Sequence, residues 1–230
     1  MGLYSNTVYL LMGDRGLLLE FGDVISSEVN EKVRRMGLAI QAEAIEGIIE
    51  AVPTYRSLFI IYNPLILSID DLKKRLHLIE KGLKQTPFPE PKLTQIPVVY
   101  GGTYGPDLEG VAKYHQISAE DVIRLHCSKP YFIYMIGFMP GFPYMGELPE
   151  ELATPRLKTP RLLVPAGSVA IAQRQTGIYS MDSPGGWQIL GRTPTKMFDP
   201  EREPPALLQM GDLVQFCQIS EEEFKEWPLK

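Results

Sequence analysis

The first third of the chain carries apolar residues in both strand-like and helix-like spacing. Four apolar runs, the first two separated by the Gly-Asp-Arg-Gly turn at 13–16, predict strands and an opening β-hairpin; they cover residues 9–12, 17–21, 45–52 and 58–62. In two other segments, apolar residues recur every three to four positions after a serine able to cap a helix, which predicts two helices. These are Val29, Val33, Met36 and Ile40 after Ser26 or Ser27, and Leu72, Leu76, Ile79 and Leu83 after Ser68. The order ββαββα predicts a small two-layer α+β domain, with its helices on one face of an antiparallel sheet.

The pattern changes after a proline-rich stretch. Pro87, Pro89 and Pro91 crowd a polar segment that can neither continue a helix nor form a central strand, so a domain boundary is expected there. Beyond it the sequence predicts short helices at 108–115 and 119–127, and brief strands at 94–100, 131–136, 162–164, 169–172, 187–190 and 212–219. Such strands, separated by Gly/Pro turns, favour a closed or nearly closed β-barrel. The predicted fold class is therefore α+β, with one α+β domain over residues 1–88 and a β-barrel domain over residues 89–230.

Composition narrows the class of partner. The 230 residues are 44% hydrophobic, and 23 Lys and Arg against 28 Asp and Glu give a net charge of -5. An acidic chain offers no general attraction to nucleic acid or to anionic membranes, so neither is expected as a partner. The two cysteines, Cys127 and Cys217, lack a C-x-x-C spacing, which favours a reducing compartment. No apolar run is long enough to span a bilayer and the first residues lack a signal-peptide pattern, so a soluble, cytoplasmic protein is expected.

Two motifs of the second half are better explained by packing than by chemistry. Residues 111–124 resemble a helix-turn-helix, but the second helix begins Ala-Glu-Asp and offers only Arg124 to base edges, which disfavours DNA reading. His115, His126 and Cys127 are candidate metal ligands, yet no fourth ligand stands at a recurrent spacing. No metal site is therefore predicted.

Two further motifs lack the partners that catalysis would need. The glycine-rich turn at 101–105 is not followed by the Gly-Lys-Ser/Thr of a phosphate loop. Ser168 does not sit in a G-x-S-x-G elbow, and no histidine follows position 126 to complete a serine-carboxylate-histidine order. Neither nucleotide binding by this chain nor serine hydrolase chemistry is expected.

Residues 134–200 are dense in Gly, Pro and aromatic residues, which predicts loops fixed in particular shapes around a pocket. The polar residues there are typical of a site for a small carboxylate ligand, since guanidinium groups grip carboxylates and hydroxyls, amides and an indole orient a polar ring. The candidate substrate-binding residues are Arg156, Arg161, Ser168, Gln173, Thr176, Tyr179, Ser183, Trp187 and Arg192. The alternative is that Arg156 and Arg161 cap barrel loops and Trp187 fills the core.

The aromatic segment within this stretch is a candidate partner-binding loop. Phe138, Met139, Phe142 and Tyr144 form an apolar segment flanked by Gly and Pro that is expected to be exposed, which suits contact with another protein.

Nine motifs in order along the chain resemble the signature of the family of 5-oxoprolinase B subunits, which includes the sporulation kinase inhibitor KipI. They are IPVVYGG (96–102), GPDL (105–108), GFMPGFPY (137–144), ATPRLKTPR (153–161), VPAGS (164–168), QTGIY (175–179), SPGGW (183–187), GRTP (191–194) and FDP (198–200). The chain departs from the family pattern at Ala170 and Gln173, where glycine is usual, and at Ser180, where proline is usual.

The resemblance implies a ferredoxin-like α/β sandwich domain followed by a cyclophilin-like β-barrel domain. It implies a B subunit that works with subunits A and C to hydrolyse 5-oxo-L-proline to L-glutamate at the expense of ATP, and that is inactive alone. ATP would be used by the complex, with no cofactor held by this chain. Within a composite site, Arg156 or Arg161 would hold a carboxylate, and Ser168, Thr176 and Tyr179 would donate hydrogen bonds near the amide; no catalytic residue is assigned.

The resemblance also leaves a second function open. A KipI-type protein inhibits the autophosphorylation of a sporulation sensor histidine kinase, and such a protein would bind the kinase through the barrel groove and the 138–144 loop. Prolyl isomerase activity would rest on analogy of fold alone.

Overall fold

The computed structural model describes residues 2–83 and 88–227. The chain divides into two compact units, Met1–Glu90 and Pro91–Lys230. The assignment of a domain to residues 1–88 and another to 89–230 remains a prediction, and Pro87 of the predicted boundary lies outside the described residues.

The first unit has the predicted order ββαββα. Its elements are β1 (Leu3–Met12), β2 (Gly16–Gly22), α1 (Ser27–Glu43), β3 (Ile48–Pro53), β4 (Ser57–Tyr62) and α2 (Ile69–Gly82). The four strands form one antiparallel sheet in the order β1-β2-β4-β3. The mixed α+β class predicted from the apolar spacing is thus the observed one.

Serine caps begin both helices of this unit. Val29 N donates to Ser26 Oγ at 3.2 Å and Asp71 N donates to Ser68 Oγ at 3.1 Å, which satisfies amides that a helix leaves unpaired at its start. The α1 stripe then buries its apolar residues against alternate residues of β2 and β4, such as Leu19 and Ile60. Capping and periodicity therefore place the helices on one face of the sheet.

The second unit is built around a closed barrel of seven strands. Its elements are β5 (Leu93–Tyr100), α3 (Leu108–His115), α4 (Ala119–His126), β6 (Tyr131–Ile136), β7 (Pro143–Gly146), a 3₁₀ turn (Glu150–Leu152), β8 (Arg161–Val164), β9 (Ser168–Ala172), β10 (Gln175–Ile178), β11 (Ser183–Gly185), β12 (Gln188–Arg192), β13 (Leu213–Gln218) and α5 (Glu221–Glu226). The barrel order is β10-β7-β6-β13-β5-β12-β9, and β8 pairs with β11 in a separate ribbon. The predicted barrel is confirmed. The strands β7, β10 and β11 were not predicted.

Parallel pairing of the first and last barrel strands closes the barrel. Residues Leu213 to Gln218 of β13 pair in register with Leu93 to Val98 of β5, and β13 also pairs antiparallel with β6. The other barrel pairings are antiparallel.

Two apolar cores lie on opposite faces of β9, because successive side chains of a strand alternate. Val169 and Ile171 join the larger core, here called the barrel core, which also receives Val111 and Val122 from α3 and α4. The helix-turn-helix-like segment therefore packs into the barrel core, as expected. Ala170 and its neighbours on the other face of β9 join a second, smaller core that is rich in aromatic residues.

No helix in the described ranges has the length and apolarity required to cross a bilayer.

Candidate functional site

The smaller core contains four rings, here called the aromatic cluster: Phe142, Tyr144, Tyr179 and Trp187. Phe142 is perpendicular to Tyr179 at 5.3 Å between centroids and to Trp187 at 5.6 Å, and Tyr144 lies 5.8 Å from Trp187. Gly177 of β10 makes room for the cluster, since a Cβ there would lie 2.8 Å from the Phe142 ring. The Gly/Pro motifs of the sequence thus surround a tightly packed aromatic core.

The loop between β6 and β7 brings one ring of the predicted partner-binding segment to the surface. Phe138 is 61% exposed and has a left-handed φ of 65°, a conformation uncommon outside glycine. Met139 and Tyr144 are half-buried, and Phe142 is 1% exposed. The expectation that the whole segment is exposed is therefore wrong for Phe142, because its ring fills the second core. The partner-binding role of the four residues remains a prediction.

Arg156 lies at the edge of the aromatic cluster. Its guanidinium carbon is 5.8 Å from the Trp187 ring centroid, within the range of a cation–π contact, and its side chain is exposed. Burial raises the pKa of both Tyr144 and Tyr179, and the positive charge of Arg156 opposes that rise in each. The guanidinium is thus electrostatically close to two phenols of the cluster.

Arg161 and Arg192 hold backbone and side-chain groups of the barrel. Arg161 Nη2 is 2.6 Å from Asp107 Oδ1, and Asp107 Oδ2 accepts the Ile189 N–H at 2.7 Å. Arg192 Nε donates to the Ala166 carbonyl at 2.8 Å. The buried Arg161 Nη1 has no hydrogen-bond partner within the described ranges. Asp107, which the sequence offered only as part of the GPDL motif, therefore organises this region.

The small hydroxyl residues of the predicted site are engaged within the chain. Ser168 Oγ donates to the Pro165 carbonyl at 2.7 Å and Ser183 Oγ to the Pro184 carbonyl at 3.2 Å. Burial raises the pKa of the Tyr179 phenol, and the backbone amide of Trp187 opposes that rise. Their role in substrate binding remains a prediction.

Gln173 lies apart from the aromatic cluster, in the exposed turn between β9 and β10. Its φ of 53° is left-handed, which gives a physical reason for the family's preference for glycine at this position. Another departure, Ser180, donates from Oγ to the Pro140 carbonyl at 2.6 Å, which ties it to the Phe138 loop.

Thr176 faces the barrel core and belongs to a buried polar chain centred on His126. Thr176 Oγ1 donates to the Ala170 carbonyl at 3.2 Å, so it accepts from His126 Nε2 at 2.9 Å. The other ring nitrogen, Nδ1, then accepts the Tyr100 hydroxyl at 2.8 Å, and Cys127 Sγ lies 3.4 Å from that hydroxyl oxygen. Hydrogen bonding thus fixes one neutral tautomer of His126.

Burial keeps His126 uncharged. Desolvation lowers the pKa of its imidazole from 6.5 to about 3, and the ring stacks on Phe216 at 4.5 Å. Sequence reasoning weighed His126 only as a metal ligand and missed this network. The available signal was its position four residues after the buried Val122, on the apolar face of α4.

No cluster of three or more His, Cys, Asp or Glu suited to a metal ion occurs within residues 2–83 and 88–227. An open groove of about 460 Å³ lies in the first unit between α1 and α2, lined by Ala39, Glu43, Ile45, Arg75, Leu78, Ile79 and Gly82. None of the predicted site residues lines it.

Comparison with known proteins identifies the family. Residues 7–208 match the model of the carboxyltransferase domain, subdomain C and D, and the chain belongs to that family. The chain is 39% identical over 227 residues to the 5-oxoprolinase B subunit of Bacillus subtilis (strain 168), covering 93% of each chain. It is 41% identical over 212 residues to the 5-oxoprolinase B subunit of Escherichia coli O157:H7, covering 92% of this chain and 95% of that one. The resemblance to the family of 5-oxoprolinase B subunits is thereby confirmed.

A solved structure shows the same fold. The protein TTHA0988 superposes with a TM-score of 0.80 at 39% identity, over 90% of this chain. The matched part is 40% of TTHA0988, so this chain spans less than half of that protein.

Proposed function

We propose that this protein is the B subunit of an ATP-dependent 5-oxoprolinase, which hydrolyses 5-oxo-L-proline to L-glutamate. The observation that carries the proposal is similarity to proteins named as 5-oxoprolinase B subunits, which extends over nearly the full length of this chain and of each relative. The kinase-inhibitor alternative is not favoured, because these relatives carry the enzyme's name and no feature of the Phe138 loop points to a histidine kinase.

The proposed active form is a complex with subunits A and C. The relatives' designation as a subunit implies an assembly of several chains, and the 40% coverage of TTHA0988 is consistent with a site completed by further polypeptide. The protein would be inactive alone, since the partner subunits would supply the rest of the site.

ATP handling is assigned to the partners. A lactam resists hydrolysis, so coupling to ATP makes ring opening favourable. The turn at 101–105 uses its amides internally, because Gly101 N donates to the Leu190 carbonyl and Gly105 N to the Gly101 carbonyl. These amides are not available to cradle a phosphate.

In the proposed half-site, Arg156 or Arg161 binds a carboxylate, while Ser168 and Tyr179 act near the amide. Thr176, which the sequence placed with them, is left out of the half-site because it faces the barrel core and is hydrogen-bonded to His126. Water attacks the ring carbonyl, the ring C–N bond breaks, and the released nitrogen takes up a proton as the new carboxylate forms. The partner subunits would close over this surface and exclude bulk water.

The proposal extends to finer features of fold and compartment. Moving β1 to the end of the order ββαββα gives βαββαβ with the same sheet neighbours, which supports a permuted ferredoxin-like unit. The seven-stranded barrel supports a cyclophilin-like second domain. Cys127 and Cys217 are both free thiols, which supports a cytoplasmic location.

Reconstitution tests the proposal. The purified protein, mixed with A and C partners, should release glutamate from 5-oxoproline only when ATP is present. The matched control omits this chain. Glutamate release that persists without it would refute the assignment.

A further inference from the structure

The segment that carries Arg156 is fixed from three sides while the side chain itself is unpaired. Gln173 N donates to the Thr154 carbonyl at 2.6 Å, Gln188 Nε2 to the Pro155 carbonyl at 2.9 Å, and Leu157 N to the Gly186 carbonyl at 2.7 Å. Among residues 2–83 and 88–227, Arg156 has no hydrogen bond and no ion pair. Its contact is with the Trp187 ring.

The other two arginines of the predicted site already have partners within the chain. Arg161 is paired with Asp107, whose second oxygen is needed by the Ile189 amide, and Arg192 holds the Ala166 carbonyl. Recruiting Arg161 for a ligand would leave the Asp107 carboxylate, which is 12% exposed, without its counter-ion. The exposed Arg156 carries no such cost.

The surroundings of Arg156 suit a ligand with one anionic end and an apolar body. A guanidinium presents a planar fork that matches a carboxylate, and the centroid of the Trp187 indole lies 5.8 Å from the guanidinium carbon. The exposed Phe138 ring stands 6.4 Å from Tyr179 of the same cluster and supplies apolar surface.

We propose that Arg156, held over Trp187, is the residue that binds the carboxylate of a small cyclic amide acid, with the exposed Phe138 and the half-buried Tyr144 against the ring methylenes. This inference rests on the proposed function and deepens it, because it assigns the carboxylate to Arg156 rather than to Arg161.

The test uses the reconstituted complex with three variants of this chain. Arg156→Gln removes the fork, Arg156→Lys keeps a charge without it, and Lys158→Gln is the matched control, which removes an exposed cation from the same loop. Loss of a bidentate charged contact should raise KM for 5-oxoproline about 10- to 100-fold with little change in kcat. Arg156→Lys should recover part of this loss, and Lys158→Gln should behave as wild type.

A substrate lacking the carboxylate separates binding from general damage. With 2-pyrrolidinone, wild type and Arg156→Gln should show the same weak stimulation of ATP hydrolysis. An unchanged KM for 5-oxoproline in Arg156→Gln overturns the inference. Weaker assembly of Arg156→Gln with the partner subunits on size-exclusion chromatography also overturns it, because Arg156 would then bind a partner's acidic residue.

If the wild-type complex released no glutamate, that result would count against the proposed function. The inference about Arg156 would then be tested by a direct binding measurement. The chain has two tryptophans, so Trp227→Phe leaves Trp187 as the single reporter. Titrating 5-oxoproline should change its fluorescence, and adding Arg156→Gln should abolish that change. A response that survives Arg156→Gln, or no response at all, contradicts the inference.

Discussion

Replacing Thr176 by valine tests the buried polar chain around His126. Thr176 is fully buried, and valine has nearly the same shape without the hydroxyl. The change removes the acceptor of His126 Nε2–H at 2.9 Å and the donor to the Ala170 carbonyl at 3.2 Å. The imidazole cannot turn to water, because it is itself fully buried and is held at Nδ1 by Tyr100.

The expected loss follows from these contacts. A buried donor left unpaired costs about 1–3 kcal/mol and the second hydrogen bond contributes about 1 kcal/mol. The added methyl group offsets about 0.8 kcal/mol. The net loss in free energy of unfolding is therefore about 2 kcal/mol, which for a urea m-value of about 2 kcal/mol/M lowers the midpoint by about 1 M.

Urea unfolding followed by tryptophan fluorescence measures this loss, because Trp187 and Trp227 both lie in the second unit. Thr193→Val is the matched control, since Thr193 is also buried but its hydroxyl serves a single Thr195 N–H at 3.2 Å. Thr176→Val should lower the midpoint more than the control. Equal shifts in the two variants would refute the argument that His126 depends on Thr176.

The remaining predictions concern one histidine and three backbone positions. Below pH 6.5 His126 takes up a proton in the unfolded chain but not in the folded protein, where its pKa is about 3. The free energy of unfolding of the wild type should therefore fall with decreasing pH by up to about 1.4 kcal/mol per pH unit more steeply than that of His126→Asn. Parallel curves of stability against pH over pH 5–7 would contradict this. Gln173→Gly should raise stability by up to about 1 kcal/mol, because glycine relieves a left-handed φ of 53°, and a lowered Tm would show the reasoning wrong. Gly105→Ala should lower the free energy of unfolding by about 1–3 kcal/mol, since the added Cβ would overlap the Leu190 carbonyl. Gly110→Ala, which has open space around it in α3, should be neutral or stabilising. Urea unfolding measures both variants, and equal effects would contradict the steric argument.

The first unit was predictable because its signals are local. Ser26 and Ser68 cap helices within three residues, and the α1 stripe needs only its own spacing. The edge strand β1 was predicted from residue 9, whereas it begins at Leu3, because Ser5 and Asn6 interrupt the apolar pattern. Sheet pairing, rather than composition, extends that strand.

The short strands of the second unit were harder to predict. β11 (Ser183–Gly185) consists of Ser, Pro and Gly, and β7 (Pro143–Gly146) begins with Pro and ends with Gly, so their composition is typical of turns. β7 pairs with the preceding strand β6 on one side, but on the other side its partner is the more distant β10, where Gly177 lies opposite Tyr144. Such strands form because neighbouring strands supply their backbone hydrogen-bond partners.

The candidate site was predictable in its residue types but not in its pairings. Arg156 and Arg161 are five positions apart and chemically identical, and sequence alone left both as carboxylate ligands. What separates them is Asp107, 54 residues from Arg161 in sequence, and Trp187 beside Arg156. Only folding reveals which cation is already neutralised.

The parallel pairing of β13 with β5 has a consequence for biosynthesis. A ribosome that has delivered every residue up to Gln209 has still not supplied the strand that seals the barrel, so β5 and β6 would wait with open edges prone to pairing with other chains. The ββαββα unit has all its strands by Tyr62 and can form much earlier. Release of the chain before β13 has been made would therefore leave the second unit with unpaired strand edges, which favour aggregation.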